Sequence, residues 1–273
     1  MARIVSIHAA SHTPVMLNFA DAIPARLRDE IFAGFQAMGA AIAQARPQAI
    51  VVLSDDHVHN FFLDNLPAFC IGAASAYPAP IEHWLKADKR MLTGDPALGA
   101  ALLEHMMASD FDPALSMELT LDHGIVTPLD LAGVARSLPV VPVLINCVQP
   151  PLPRMGRCHA FGIALGKALR AYPQLERVSV LATGGLSHDL STPRMGMVNE
   201  AFDTGFLRLI EQGDPAPAIQ FAEQHVHEAG NGAEEVRMWL MAMGIAGPAR
   251  FVSRLYRPVP GWYTGIGIGE WVQ

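Results

Sequence analysis

Residues 49–60 of the chain, AIVVLSDDHVHN, decide how its fold is interpreted. The first five residues are apolar and largely β-branched, which is typical of a buried strand. The next seven include two acids and two histidines: Asp55, Asp56, His57 and His59. In open α/β sheets ligands bind beyond the carboxyl ends of the strands. The stretch therefore predicts either a metal site at a strand end or a solvated polar turn.

The rest of the chain alternates short β-branched runs with longer helical patterns. Further strands are predicted at residues 3–7, 68–71, 140–145 and 178–181. Helices are predicted at residues 25–45, 97–108, 128–136, 155–171, 196–211, 217–228 and 233–243. The first helix has an apolar face at three- and four-residue steps, formed by Leu27, Ile31, Phe35, Met38 and Ile42. The alternation predicts one α/β domain over residues 1–273, with a central, mostly parallel or mixed sheet flanked by helices.

Composition narrows the class of protein. Hydrophobic residues make up 51% and charged residues 16% of the 273 positions, yet no apolar run reaches the roughly 18 residues of a spanning helix. The net charge of −7 and the absence of basic clusters argue against nucleic acid as a partner. Three cysteines, Cys70, Cys147 and Cys158, show no metal-binding spacing and suit a reducing compartment. We therefore expect a cytoplasmic protein without a membrane partner, whose apolar surplus favours a homo-oligomer.

Histidines follow three of the predicted strands. His8 and His12 follow the first strand, His57 and His59 the second, and His188 the last. Each could be an ordinary loop or turn residue, but together they are expected to converge on one crevice at the carboxyl edge of the sheet. The paired glycines before His188 would allow the backbone to approach a ligand closely.

Three further sites carry ionisable residues. Asp122 and His123 precede the predicted helix at 128–136, where they form either a capped turn or a general base. Glu235 falls on the apolar side of a helix, where a carboxylate needs a partner or a metal, whereas Glu234 can be solvated. A competing cluster at residues 225–228, HVHE, places its two histidines about 200° apart on a helix, which disfavours chelation.

Two histidines and one carboxylate form the facial triad of non-haem Fe(II) oxygenases, which leaves coordination positions open. The chain supplies such a set with two further histidines for proton transfer. On spacing alone the same ligands would suit a zinc hydrolase. A binding protein that keeps the fold without the chemistry is a third interpretation.

Five motifs follow one another along the chain: SHTP at 11–14, DH at 56–57, DHG at 122–124, GGLSH at 184–188, and Glu235 four residues before Trp239. In these motifs and in their order the chain resembles the class III extradiol dioxygenases nearly end to end. That family includes protocatechuate 4,5-dioxygenase beta subunits, gallate dioxygenases and 2,3-dihydroxyphenylpropionate 1,2-dioxygenase. Compared with the family, the chain lacks the inserted region of the dihydroxyphenylpropionate enzymes and the C-terminal extension of the gallate enzymes.

The resemblance implies a function and a site. It implies Fe(II) ligation by His12, His57 and Glu235, and acid–base roles for His123 and His188. The activity implied is extradiol cleavage of a catechol-type ring with O₂, in aromatic catabolism. It also makes a second small subunit conceivable, as in the two-subunit protocatechuate enzymes. The ring substituent is not fixed by any residue.

Overall fold

The computed structural model describes residues 2–134 and 138–272. Its centre is an eight-stranded sheet with the order β6-β3-β7-β2-β8-β1-β10-β9. The strands are β1 (Arg3–Ala10), β2 (Ala49–Ser54), β3 (Phe69–Gly72), β6 (Ala114–Ser116), β7 (Val140–Ile145), β8 (Arg177–Thr183), β9 (Arg250–Val259) and β10 (Thr264–Val272). A separate hairpin consists of β4 (Ala76–Ala79) and β5 (Arg90–Thr93).

The sheet is mixed, with a parallel centre. The central strands β7, β2, β8 and β1 run parallel to one another. At one side β10 and β9 are added antiparallel, and at the other β3 runs antiparallel to β7 and pairs with β6 in parallel. The carboxyl ends of β1, β2 and β8 therefore meet at one edge, as the positions of the histidines predict.

Helices cover both faces of the sheet. They are α1 (Val15–Asn18), α2 (Ala25–Ala45), α3 (Pro96–Met107), α4 (His123–Leu131), α5 (Met155–Ala171), α6 (Glu200–Gln212), α7 (Pro215–His225) and α8 (Val236–Ala246). On one face the residues of α3 and α5–α8 share a hydrophobic core with Val51 and Leu53, while on the other the residues of α2 and α4 share a core with Ile50 and Val52. Because both faces of β2 are covered, its sequence is continuously apolar rather than alternating. The predicted fold class is confirmed.

One predicted helix has the wrong start, and two long strands were missed. The helix predicted at 128–136 begins instead at His123, because Asp122 caps it by accepting a hydrogen bond from the backbone N–H of Gly124 at 2.9 Å. Pro128 lies inside this helix rather than at its start, and the predicted end at 135–136 falls outside the described residues. The long strands β9 and β10 were not predicted.

A smaller difference concerns the last predicted helix; two further observations concern the cysteines and the apolar character of the helices. The segment predicted as one helix at 233–243 is a 3₁₀ turn, Asn231–Glu235, followed by α8. All three cysteines are free and buried. Within residues 2–134 and 138–272, no helix combines the length and the apolar character that crossing a membrane requires.

Candidate metal centre and acid–base site

Two of the candidate ligands follow the central strands β1 and β2. His12 lies two residues past β1, where Ser11 ties the chain to β10 through its Oγ, which accepts from the N–H of Gly267 at 2.9 Å. His57 lies three residues past β2, in a loop organised by Asp56. The carboxylate of Asp56 accepts hydrogen bonds from three consecutive backbone N–H groups, those of residues 59, 60 and 61. The loop is therefore fixed by its own sequence.

Glu235 reaches the same edge from the turn that precedes α8. It is 2% exposed. Its Oε2 accepts a hydrogen bond from the backbone N–H of Gly185 at 2.5 Å, and Trp239 Nε1 donates to the carbonyl of Gly184 at 2.8 Å. A Cβ at Gly184, which has φ +104°, would lie 2.6 Å from Oε2 of Glu235. Only glycine allows the backbone to hold the carboxylate this closely.

The three predicted ligands present their donor atoms to a common point. Nε2 of His12 lies 3.4 Å from Nε2 of His57, and Oε1 of Glu235 lies 3.7 Å from the first and 3.3 Å from the second. Nitrogen and oxygen ligands about 2.1 Å from one ion, at angles of roughly 90–120°, stand about 3.0–3.6 Å apart. The spacing of these atoms therefore fits one metal ion.

Asp55 adds a fourth donor to this group. Its Oδ1 lies 3.3 Å from Nε2 of His57 but accepts no hydrogen bond within the described part of the chain. Burial raises the pKa of Asp55 well above its usual range, although His57 opposes the shift. A buried carboxylate oxygen that accepts no hydrogen bond is costly, and a cation at this point would offset the cost. The donor chemistry of the four residues thus suits a divalent ion with mixed nitrogen and oxygen ligands.

The orientation of the His57 ring is set by Asp122. Oδ2 of Asp122 accepts hydrogen bonds from Nδ1 of the ring at 2.9 Å and from the backbone N–H of His57 at 3.2 Å. A carboxylate on one ring nitrogen fixes the tautomer and leaves the other nitrogen for a metal. The carboxylate that orients His57 is therefore the cap of α4 and not an acid adjacent to His57 in the chain.

The pKa values of the two candidate histidine ligands are shifted in opposite directions. Burial lowers the pKa of His12 to about 3, against the opposing charge of Glu235. Burial also opposes the charged form of His57, but Asp55 and Asp122 outweigh it and hold its pKa well above the usual range. Glu235 is ionised, because the nearby histidines, His12 first, outweigh burial and lower its pKa.

The ring of His123 lies next to that of His57. The two ring centroids are 4.1 Å apart, and the ring of His12 is 5.4 Å from that of His123. Nδ1 of His123 is 2.6 Å from Oε1 of Glu82, a residue that sequence reasoning missed. Burial lowers the pKa of His123, and the charge of His57 lowers it further.

His188 closes the site from the loop after β8. Its Nδ1 donates to the carbonyl oxygen of Leu186 at 3.0 Å, which leaves Nε2 facing Oε2 of Glu235 at 4.0 Å. The ring is buried against Gly232, where an added Cβ would lie 1.9 Å from Nε2. His188 is therefore held next to the metal-ligand group by a hydrogen bond and by close packing.

The structure brings all five predicted site residues together: His12, His57, His123, His188 and Glu235. His8 does not join them, because β1 continues to Ala10 and places His8 inside the strand, opposite Glu270. The rival cluster lies apart, since His225 and His227 pair with Glu228 and are 41% and 73% exposed. Glu234 pairs with Arg237 near the surface, in contrast to the buried Glu235.

Comparison with known proteins adds a family match. The family model described as the catalytic LigB subunit of aromatic ring-opening dioxygenase matches residues 6–267. A 2,3-dihydroxyphenylpropionate/2,3-dihydroxicinnamic acid 1,2-dioxygenase of Paraburkholderia xenovorans is 32% identical, with 96% of each chain covered. A homologue of the same name (numbered 1) from Pseudomonas putida is 31% identical, again with 96% of each chain covered.

A solved structure shares the fold. The crystal structure of the uncharacterized protein JW3007 from Escherichia coli K12 superposes with a TM-score of 0.66. It covers 98% of this chain and 100% of its own, at 18% identity. At that identity the likeness extends to the arrangement of strands and helices alone.

Proposed function

The chain belongs to the family of catalytic LigB subunits of aromatic ring-opening dioxygenases, and from that premise we propose that it is an Fe(II)-dependent extradiol enzyme. Its substrate would be a catechol-type ring, opened beside the diol with O₂. In this proposal His12, His57 and Glu235 hold the metal, and His123 and His188 transfer protons.

One observation carries the proposal. Nε2 of His12, Nε2 of His57 and Oε1 of Glu235 lie within 3.3–3.7 Å of one another at the carboxyl edge of the sheet. Two histidines and one carboxylate are the ligand set that leaves positions open for both substrate and oxygen. Fe(II) bound there would supply a Lewis acid that keeps the ring and O₂ in contact.

The two remaining histidines have complementary surroundings. His188 offers Nε2 beside Glu235, because its other nitrogen donates to a backbone carbonyl and cannot accept a proton there. We assign it the removal of a substrate proton and hydrogen bonding to the reacting oxygen. His123 is hydrogen-bonded to a carboxylate, which stabilises the protonated ring, and we assign it the role of acid. Burial of both rings excludes bulk water from the proton transfers.

The test is a reconstitution experiment under anaerobic conditions. Metal-free protein is loaded in parallel with Fe(II), Zn(II) or Mn(II), mixed with catechol, protocatechuate, gallate or 2,3-dihydroxyphenylpropionate, and then given O₂. We expect oxygen uptake and a coloured ring-opened product with Fe(II) and at least one diol. The last compound is a natural first choice, since relatives are named for it. Hydrolytic activity with zinc, or no oxygen uptake with any diol, would contradict the proposal.

Association and location complete the proposal. We propose a cytoplasmic homo-oligomer, supported by the 51% hydrophobic residues and by exposed side chains such as Met107 and Met117, which are 57% and 63% exposed. A second small subunit is the alternative partner. Sedimentation at micromolar concentrations should show a species larger than 29.4 kDa, and a monomer throughout would refute self-association.

A further inference from the structure

Glu82 is a buried carboxylate that none of the motifs includes. It is 3% exposed and lies in the connection between the hairpin strands β4 and β5. The backbone around it is fixed to the segment before α4, because the N–H of Ile81 donates to the carbonyl of Leu121 at 2.8 Å and that of Leu121 to Pro78 at 2.9 Å. Lys89 donates to the carbonyl of Glu82 at 3.1 Å. These hydrogen bonds therefore place the Glu82 carboxylate at the start of α4.

The contacts of Glu82 are directed at one functional residue. Its Oε1 accepts from Nδ1 of His123 at 2.6 Å and from the backbone N–H of the same residue at 3.0 Å. Nε2 of His59, whose side chain is 28% exposed, lies 3.3 Å from the same oxygen. Two hydrogen bonds from ring and backbone fix both the position and the rotation of the His123 ring.

An ionised carboxylate only accepts hydrogen bonds, so the ring nitrogen that faces it must carry the proton. Burial disfavours the ionised form of Glu82, but the hydrogen bonds from His123 outweigh burial and keep its pKa below the usual value. Nδ1 of His123 is therefore a donor, and Nε2 is the ring nitrogen left for exchange with a substrate. A carboxylate on the distal nitrogen also stabilises the imidazolium form that an acid requires.

We propose that Glu82 is the positioning residue of the site, holding His123 in the Nδ1–H tautomer with Nε2 directed to the substrate. The inference rests on the proposed function only for the role of His123 as acid. Glu82 is not one of the three proposed metal ligands, and its contact with the site is through His123. Nε2 of His59 lies near the same oxygen, at 3.3 Å, on the more exposed side of the carboxylate.

Two substitutions of Glu82 distinguish the positioning of the His123 ring from the effect of the carboxylate charge. Glu82→Gln keeps the length and an oxygen that can accept from Nδ1, whereas Glu82→Leu removes the acceptor at similar volume. The matched controls are Glu176→Gln and Glu176→Leu, at an exposed glutamate beside the amino end of β8 and so at the opposite edge of the sheet. We expect kcat per bound iron to fall about 100-fold in Glu82→Leu and about 10-fold in Glu82→Gln, with KM changed less than about threefold. The controls should keep both constants.

A second measurement does not depend on turnover. Long-range ¹H–¹⁵N spectra of the full chain loaded with diamagnetic Zn(II) report which ring nitrogen of each histidine carries a proton, and a His123→Gln spectrum assigns the signals. We expect a proton on Nδ1 of His123 in the unsubstituted protein and in Glu82→Gln, and a mixture of tautomers in Glu82→Leu. A bare Nδ1 in the unsubstituted protein would overturn the inference even if Glu82→Leu failed to fold.

The two proposals fail in different ways. If no diol is cleaved by the iron-loaded protein, the proposed function is lost while the tautomer spectra still decide the role of Glu82. If ring cleavage is present and Glu82→Leu keeps kcat within about twofold, the positioning role is lost and the function stands. A purely structural role would lower the thermal midpoint or the iron content and leave kcat per iron unchanged, which also counts against the inference.

Discussion

The contact between Gly232 and the ring of His188 allows a catalytic histidine to be moved without being replaced. A Cβ at position 232 would lie 1.9 Å from Nε2 and 2.2 Å from Cδ2 of His188. Atoms in ordinary contact are separated by about 3.5 Å, so the ring must retreat by roughly 1.5 Å in Gly232→Ala. The φ of Gly232 lies outside the left-handed region, so the change tests the contact and not backbone strain.

A displacement of this size has a predictable cost. Misplacing a reacting group by about 1 Å can cost roughly 100-fold in rate, so kcat should fall at least about 100-fold. Iron content should stay unchanged, because His188 is assigned to proton transfer and the metal ligands are His12, His57 and Glu235. Oxygen uptake, iron analysis and anaerobic binding of the diol are measured on one preparation.

A matched glycine provides the control. Gly156 lies in helix α5. In Gly156→Ala the new methyl would approach Cγ2 of Ile219 at 3.8 Å, an ordinary contact, and activity should be retained. If Gly232→Ala kept its turnover, Nε2 of His188 would not act from the position observed, and the acid–base assignment would be wrong. If iron were lost with activity, His188 would have to be a ligand, and the assigned triad would need revision.

Two further predictions concern the carboxylates. Glu235→Ala should abolish iron binding while the circular dichroism spectrum stays unchanged. Glu234→Ala should lower the iron content far less. Normal iron stoichiometry in Glu235→Ala would refute the ligand assignment. Burial raises the pKa of Asp203 to about 6, despite the hydrogen bonds it accepts. The folded protein thus keeps a proton that the unfolded chain loses near pH 4, so stability should fall as pH rises from about 4 to 6, by up to roughly 3 kcal/mol. Urea unfolding should show a flatter profile in Asp203→Asn, and parallel profiles would contradict the assignment.

Local sequence patterns were sufficient to predict a helix or strand where that element buries the same one or two faces along its whole length. Helices α2 and α5 have the predicted bounds, 25–45 and 155–171, because each presents a regular apolar stripe to the sheet. Strand β2 is recognisable because both of its faces are buried. The α4 boundary was wrong because Pro128 suggested a start, whereas the cap at Asp122 determines it.

The strands β9 and β10, which were not predicted, form because of their pairing with neighbouring strands. Strand β10 carries Gly265, Gly267 and Gly269, and glycine has a low intrinsic preference for strands. It forms because β1 and β9 supply hydrogen-bond partners on both sides. At Gly267 a Cβ would lie 3.1 Å from the Trp239 ring and 3.0 Å from Leu186, so packing at the site favours a residue that local propensity disfavours.

Some residues of the site can be predicted from the sequence, and others can be identified only in the folded chain. The predicted ligands are chemically distinctive side chains placed directly after strands, so their order in the chain already suggests where they meet. The sequence marks Asp122 only as part of a turn beside His123 and gives Glu82 no role, yet the two carboxylates contact His57 and His123 across separations of 65 and 41 residues. Nothing in the local sequence predicts these two contacts. Yet each fixes the ring nitrogen that its histidine can use, so the chemistry of the visible residues depends on partners that only the folded chain identifies.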